Sequence, residues 1–169
     1  KAWVPTFSDE VDPIIRAIHA ENKPAYLRLG VGKTTPVGTI QSGTFQIVKH
    51  SSEAALSIVA LGPIANNVIA ALEQTNVAAN LIIPQTYPFH LTDDVAHLVA
   101  STPNVLVVEE HVSIGGLGQQ LSLQLLERGI HPQSFASLRA EGYPTGLYGS
   151  QQFHQQQSGI DVTSIAQKI

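Results

Sequence analysis

Residues 55–73 read "ALSIVALGPIANNVIAALE", and the parsing of that stretch decides the fold. "ALSIVALG" is a continuous apolar run of strand length, the pattern of a strand buried on both faces in a parallel sheet. Gly62-Pro63 ends the run and opens a helix with proline at the first helical position, where a missing N–H is tolerated. Ile64, Val68, Ala71 and Leu72 then recur at helical spacing and give the helix one apolar face. A buried strand, a sharp turn and an amphipathic helix make a βα unit, which needs others like it to close a core.

Those others follow. "NLIIPQTYPF" (80–89) is a second strand running into a loop, and Thr92 caps a short helix with Asp93 and Asp94 in its first turn and Val95, Leu98 and Val99 facing inward. "NVLVVEEH" (104–111) is a third buried strand. Gly115-Gly116 leads from it into the helix "LGQQLSLQLLERG", which Gly129 closes. "SFASLR" (134–139) is a weaker strand, "SQQFHQQQSG" (150–159) a solvated helix or turn, and a last helix starts near Asp161 and carries Val162, Ile165, Ala166 and Ile169. Alternating strands and helices predict an α/β fold, a three-layer α/β/α unit around a mostly parallel five-stranded sheet.

The chain before residue 44 has a different character. Ile14, Ile15 and Ile18 sit at helical spacing behind Ser8-Asp9-Glu10, although Asp12 with Pro13 offers a second helix start. "AYLRLG" (25–30) reads as a short strand. "VGKTTPVGTIQSG" (31–43) has no periodicity and reads as a linker, and "TFQIVKH" (44–50) as one strand of a hairpin with the segment after it.

Composition narrows the function. The 169 residues are 43% hydrophobic, which suits a soluble globular domain, and the net charge of −4 gives no basic footprint for nucleic acid. No apolar run approaches a membrane span, and no signal-peptide core is present. Cysteine is absent, which removes disulfides, thiol nucleophiles and thiolate metal sites and is compatible with a cytoplasmic location. Methionine is absent too and the sequence starts on Lys1, which leads us to expect a fragment of a longer protein.

Several stretches resemble chemical motifs without completing them. Gly32-Lys33-Thr34 lacks the phosphate-loop glycine five places earlier, where Leu27 stands, and Pro36 and Gly38 preclude the helix that such a loop opens. Gly116 and Gly118 match the start of a dinucleotide fingerprint, but Leu121 takes the third glycine's place. The seven histidines show no metal-ligand spacing, and no nucleophile elbow exists. The stretch "VVEEHVSIGGLGQQ" (107–120) is the sharpest local feature. Its glycines allow a tight turn and close helix packing, while Glu109, Glu110 and His111 read as a hydrogen-bonded strand terminus or a subunit contact. Leu117, Leu121 and Leu125 line one side of the following helix, and Leu123 and Leu126 widen its apolar surface beyond one sheet's needs, which favours an interface. Arg28, near a strand end, is either solvent-facing or suited to bidentate binding of a phosphate or carboxylate.

Taken in order, "VPTFSDEVDPIIRAIHAENKPAYLRLGVG" (4–32), the linker, residues 55–73 and "VLVVEEHVSIGGLGQQLSLQLLERG" (105–129) resemble the C-terminal part of transketolase-type thiamine diphosphate enzymes. That superfamily includes transketolases, 1-deoxy-D-xylulose-5-phosphate synthases and 2-oxo acid dehydrogenase β subunits. The resemblance implies that residues 1–36 are the tail of a pyrimidine-binding domain, 37–54 a linker or hairpin, and 55–169 a transketolase C-terminal-like domain. It implies a transferase moving two-carbon ketol units between sugar phosphates with thiamine diphosphate and a divalent metal, Mg. The G-D-G…N-N motif that holds them is expected upstream of Lys1, so the fragment alone should bind no cofactor and be inactive, with no catalytic residue of its own. Arg28 is then a substrate-phosphate contact, with Val31 near where some members carry a further arginine. Glu110, His111, Gly115, Gly116, Gly118 and Leu121 are expected to serve the subunit interface or its support. The expected partner is a second copy or a separate N-terminal subunit. The alternatives are a region of a 1-deoxy-D-xylulose-5-phosphate synthase or of a 2-oxo acid dehydrogenase β subunit, or a noncatalytic dimerisation or regulatory module.

Overall fold

The computed structural model describes all residues, Lys1–Ile169. The chain opens with β1 (Ala2–Trp3), a 3-10 turn over Ser8–Glu10 and α1 (Val11–Glu21), then β2 (Tyr26–Leu27). β3 (Ile40–Ser42) and β4 (Phe45–Lys49) precede β5 (Leu56–Leu61) and α2 (Ala65–Thr75), and β6 (Asn80–Pro84), β7 (Thr86–Tyr87) and α3 (Asp93–Ala100) come next. The remainder is β8 (Asn104–Glu109), α4 (Leu117–Glu127), β9 (Ser134–Arg139), α5 (Gln151–Gln157) and α6 (Val162–Ala166).

The main sheet has the order β3-β4-β6-β5-β8-β9. β6, β5, β8 and β9 run parallel, and β4 joins β6 antiparallel. The mostly parallel α/β expectation therefore holds, with six strands in place of five. The sixth arises because Ile40–Ser42 folds back on Phe45 across Gly43, whose φ of +58° suits a tight reversal. The hairpin of "TFQIVKH" thus forms with the segment before it, not after it, since the parallel strands leave no antiparallel partner on the β5 side.

Apolar residues alternate between two cores. Ile58, Ala60, Leu81, Ile83, Leu106 and Val108 face a cluster shared with α2 and α6. Val59, Leu61, Ile82, Val105 and Val107 face the opposite cluster, with α3 and α4. This two-sided burial is why the strands are continuous apolar runs, and it produces the three layers. Each fully buried large aliphatic side chain contributes on the order of 1.5–3 kcal/mol.

Residues 1–36 form no separate body. β1 lies between β2, parallel, and β7, antiparallel. Phe7 is buried in the first core and Val4 in the second. Glu10, also buried, accepts the Thr6 and Phe7 amides, each at 2.7 Å, and the Gln85 side-chain amide at 2.6 Å, which fastens the segment to the strand-end loop. The ambiguous helix start resolves in favour of the earlier one: Pro13 sits inside the first turn of α1, and Asp12 pairs with Arg16 at 2.8 Å instead of capping.

Candidate functional site

β5 and β8 are neighbours, with Leu61 paired to Glu109 at their carboxyl ends. From there the chain leaves β5 into α2 on one face and β8 into α4 on the other. This is the switch point of an open α/β sheet, where ligands characteristically gather.

Glu109 organises the crevice. Its side chain is 1% exposed, and its carboxylate accepts the Leu117 amide at 2.7 Å and the Gly118 amide at 3.0 Å. Those amides are free at the start of α4, so the acid caps that helix from the end of the neighbouring strand. Burial pushes the Glu109 carboxyl above its ordinary range, against the pull of the two amides and of Arg139. The approach is close enough that a Cβ on Gly116 would stand 2.6 Å from Glu109 Oε2 and 2.7 Å from the Val112 carbonyl. Gly118 approaches Ser137 in the same way, at 3.0 Å, and Gly115 turns the chain with φ of +72°. These three glycines and Glu109 form a strand terminus locked by hydrogen bonds.

The same turn presents His111 and Glu110 outward, and the N-terminal segment meets them. Arg28 follows β2, its amide donating to the Trp3 carbonyl at 2.9 Å. Its guanidinium Nη1 reaches the imidazole of His111, lying 3.3 Å from Nδ1 and hydrogen-bonding Nε2. Two residues singled out separately in the sequence, 83 positions apart, are thus in contact. Burial, then the Arg28 charge, lowers the His111 pKa below its ordinary 6.5, while Glu110 opposes them. Glu109 Oε2 lies 3.9 Å from His111 Nδ1. Glu110 faces the other way, accepting Gln151 at 2.7 Å and Gln155 at 2.8 Å from α5. Tyr87 donates its hydroxyl to the Gly115 carbonyl, and burial together with Glu109 raises its pKa.

Around this contact lie a small recess of about 110 Å³, between Tyr26, Tyr87 and His111, and an open groove of about 390 Å³, between Arg28, Glu110, Tyr143 and His154. The site is closed above Gly62-Pro63 by the N-terminal segment: a Cβ on Gly30 would stand 2.7 Å from Pro63 Cγ, and one on Gly62 would stand 2.9 Å from Val4 Cγ1. No three His, Asp or Glu side chains converge as a metal site.

Leu121 is fully buried with Leu117 and Leu125 in the core beneath α4, where it supports the turn and the helix, while Leu123 and Leu126, each 57% exposed, hold the outward position. The recruitment of Tyr87, Gln151 and Gln155 was not readable from the sequence, because no spacing signals contacts made across loops. Of the other histidines, His50 hydrogen-bonds Asn80 at 3.1 Å, His154 packs edge-on against Tyr143, and His19, His90, His97 and His131 are exposed.

Comparison with known proteins places this geometry in context. The family model "Transketolase, C-terminal domain" matches residues 45–165. The fold is similar to that of a split-gene transketolase described as an inactive beta4 tetramer, with TM-score 0.75 and 24% identity over 99% of this chain and 56% of that one. It is also similar to transketolase from Campylobacter jejuni (TM-score 0.67, 16% identity, 99% of this chain and 25% of that one). Transketolase from Leishmania mexicana gives TM-score 0.69 at 16% identity, over 99% of this chain and 24% of that one. The chain therefore spans between a quarter and little more than half of the solved chains it matches. Among curated proteins none matches the sequence. No helix is long and apolar enough to cross a membrane.

Proposed function

The chain belongs to the transketolase C-terminal domain family, and on that premise we propose that it is the C-terminal region of a thiamine diphosphate-dependent, transketolase-like transferase of the cytoplasm. The reaction class is two-carbon ketol transfer between sugar phosphates. Thiamine diphosphate with a divalent metal, when bound, supplies the stabilised carbanion for making and breaking the carbon–carbon bond. The residues here do not fit that group. No acidic cluster converges on a metal, and Glu109, the buried acid at the switch point, is committed to the amides of Leu117 and Gly118. On this reading the cofactor is held by other parts of the enzyme, and this chain contributes assembly and substrate contacts.

The observation that carries the reading is the junction of Arg28 with His111 at the carboxyl ends of β5 and β8. The guanidinium has five N–H donors in a fork that matches phosphate, and within the chain its side chain bonds only His111, through Nη1. Its Nε and Nη2 remain for an anionic substrate group. Residues 1–36 act as the tail of the preceding pyrimidine-binding domain, and 55–169 form the joining unit, whose sheet the hairpin within 37–54 extends. The partner is a second copy or a separate N-terminal subunit, as the split-gene relative suggests. Leu123 and Leu126 of α4 are the proposed contact, with Glu110, His111 and the three glycines supporting the turn beside it.

Calorimetric titration of thiamine diphosphate with Mg²⁺ into this chain, alongside a ketol-transfer assay, tests the division of labour. Neither binding nor turnover is expected until the remainder of the enzyme is added. Tight cofactor binding by the chain alone would overturn it.

A further inference from the structure

We infer that His111 is a positioning residue for Arg28: the neutral imidazole accepts a hydrogen bond from the guanidinium and holds it over the switch point, and protonation of the ring releases it. The functional consequence, though not the contact, rests on reading Arg28 as an anion anchor.

Arginine stays charged at every accessible pH and has donors only, so it can bond an imidazole only at a ring nitrogen that carries no proton. A doubly protonated imidazolium offers two donors and a positive charge to a second positive charge, and the same contact becomes repulsive. Arg28 has no carboxylate partner to hold it otherwise, since it takes part in no salt bridge within the chain. The ring itself is fixed by the turn behind it: the His111 carbonyl accepts the Ala140 amide at 3.1 Å, and two residues back Glu109 is anchored to the start of α4.

The other charged or titratable groups about the ring come from β2, β7, β8 and β9, the first being Tyr26, which lines the recess beside it. Glu109 on β8 lies 3.9 Å away, with Arg139 on β9 acting on it from behind. Glu110 favours the protonated ring but is turned toward α5 by Gln151 and Gln155. Tyr87 on β7 lines the same recess and donates its hydroxyl hydrogen bond to the Gly115 carbonyl, which leaves the ring to Arg28. Burial and the Arg28 charge both oppose protonation, so at neutral pH the ring is in the accepting form and the latch is closed.

The test follows both partners by NMR in the intact chain from pH 8 to pH 5. The guanidinium signals of Arg28 and the ring signals of His111 should change with one shared midpoint below 6.5. In Arg28→Gln that midpoint should rise. In His111→Gln, whose side-chain carbonyl accepts at every pH, the Arg28 signals should stay in their neutral-pH state throughout. An Arg28 response that persists in His111→Gln, or that ignores the His111 midpoint, would overturn the inference. In the complete enzyme, KM for an aldose phosphate acceptor should rise roughly tenfold on acidification, the cost of one charge-assisted hydrogen bond lost from the positioning of an anchor. KM for the same aldose without phosphate should not move, kcat should change equally for both, and His111→Gln should flatten the rise. If the NMR couple holds while the two acceptors respond alike, the latch stands and the phosphate role of Arg28 falls.

Discussion

The two ends of the parallel strands are finished in opposite ways. At the amino ends, buried polar side chains satisfy one another: Thr102 donates to Ser57 at 2.9 Å, Asn80 donates to Ser57 at 3.4 Å, and Asn80 accepts the Ser51 amide at 3.1 Å. Every partner belongs to the sheet or to the turns beside it. At the carboxyl ends the partners of Gly62, Pro63 and His111 are Val4, Gly30 and Arg28, from a segment that precedes the whole sheet. A self-satisfied end needs only its own strands. The other end is complete only when a distant piece of chain is seated on it, and on the function proposed above it is the end where parts of a larger enzyme would meet.

The contrast breaks first if the N-terminal segment proves dispensable. Phe7 is 1% exposed in the core that also holds Ile58, Ala60 and Leu106. Phe7→Ala should cost about 3–5 kcal/mol, the usual toll of a truncated buried phenylalanine, read as a drop in the denaturation midpoint. A loss comparable to that of a surface change would mean that the segment is merely draped over the sheet.

The two sides of α4 give the next test, on the helix that springs from the carboxyl end. Leu121→Ala should cost about 2–5 kcal/mol by opening a cavity. Leu123→Ala, at an exposed position, should stay within about 0.5 kcal/mol in the isolated chain, while weakening association seen by sedimentation. If Leu123→Ala leaves association untouched, the proposed contact is misplaced.

That pair of leucines also shows what the sequence could convey. The width of the apolar surface on α4 was legible, but spacing alone could not say which leucines face the sheet, because positions 117, 121 and 125 and positions 123 and 126 all fit a helical period. The strands from residue 55 onward were legible for a simpler reason: two-sided burial imposes unbroken apolar runs. β1 and β7 were not, since two-residue strands carry no period. At the site, Arg28 and the "EEH" turn were each visible as unusual residues at strand ends. Their meeting was not, because it depends on how the first segment packs, and Glu10, which fastens that packing, looked like an ordinary acid near a helix start.

A smaller effect concerns the turn. Gly116→Ala places a methyl 2.6 Å from a Glu109 oxygen and 2.7 Å from a backbone carbonyl, neither of which is free to move. It should cost about 1–3 kcal/mol, as overpacking does. Gly115, which has open space around it but φ of +72°, should suffer from backbone strain instead, so its Asn variant should be milder than its Val variant. Equal losses for Asn and Val there would argue against that distinction.

The finest test is the pH dependence of stability, where Glu109 and His111 act with opposite sign. Burial raises the Glu109 pKa above 4.5, so the folded state holds that proton more tightly than the unfolded chain does. Its contribution is therefore fully present at low pH and is lost as pH rises through the folded value. His111 is lowered below 6.5, so the unfolded chain takes up its proton first on acidification. The His111 contribution is present above 6.5 and is lost as pH falls toward the folded value. Unfolding free energies measured across pH 4–8 should thus gain a rising component in the wild type that His111→Gln removes, and a falling component that Glu109→Gln removes. Because Glu109→Gln also disturbs the amides of Leu117 and Gly118, its mean stability should drop at every pH, and only the slope reports titration. A His111→Gln profile parallel to the wild type would mean that the ring titrates alike in both states, and Glu109 alone would then set the carboxyl end apart from the uncharged Ser57–Thr102 pair at the other.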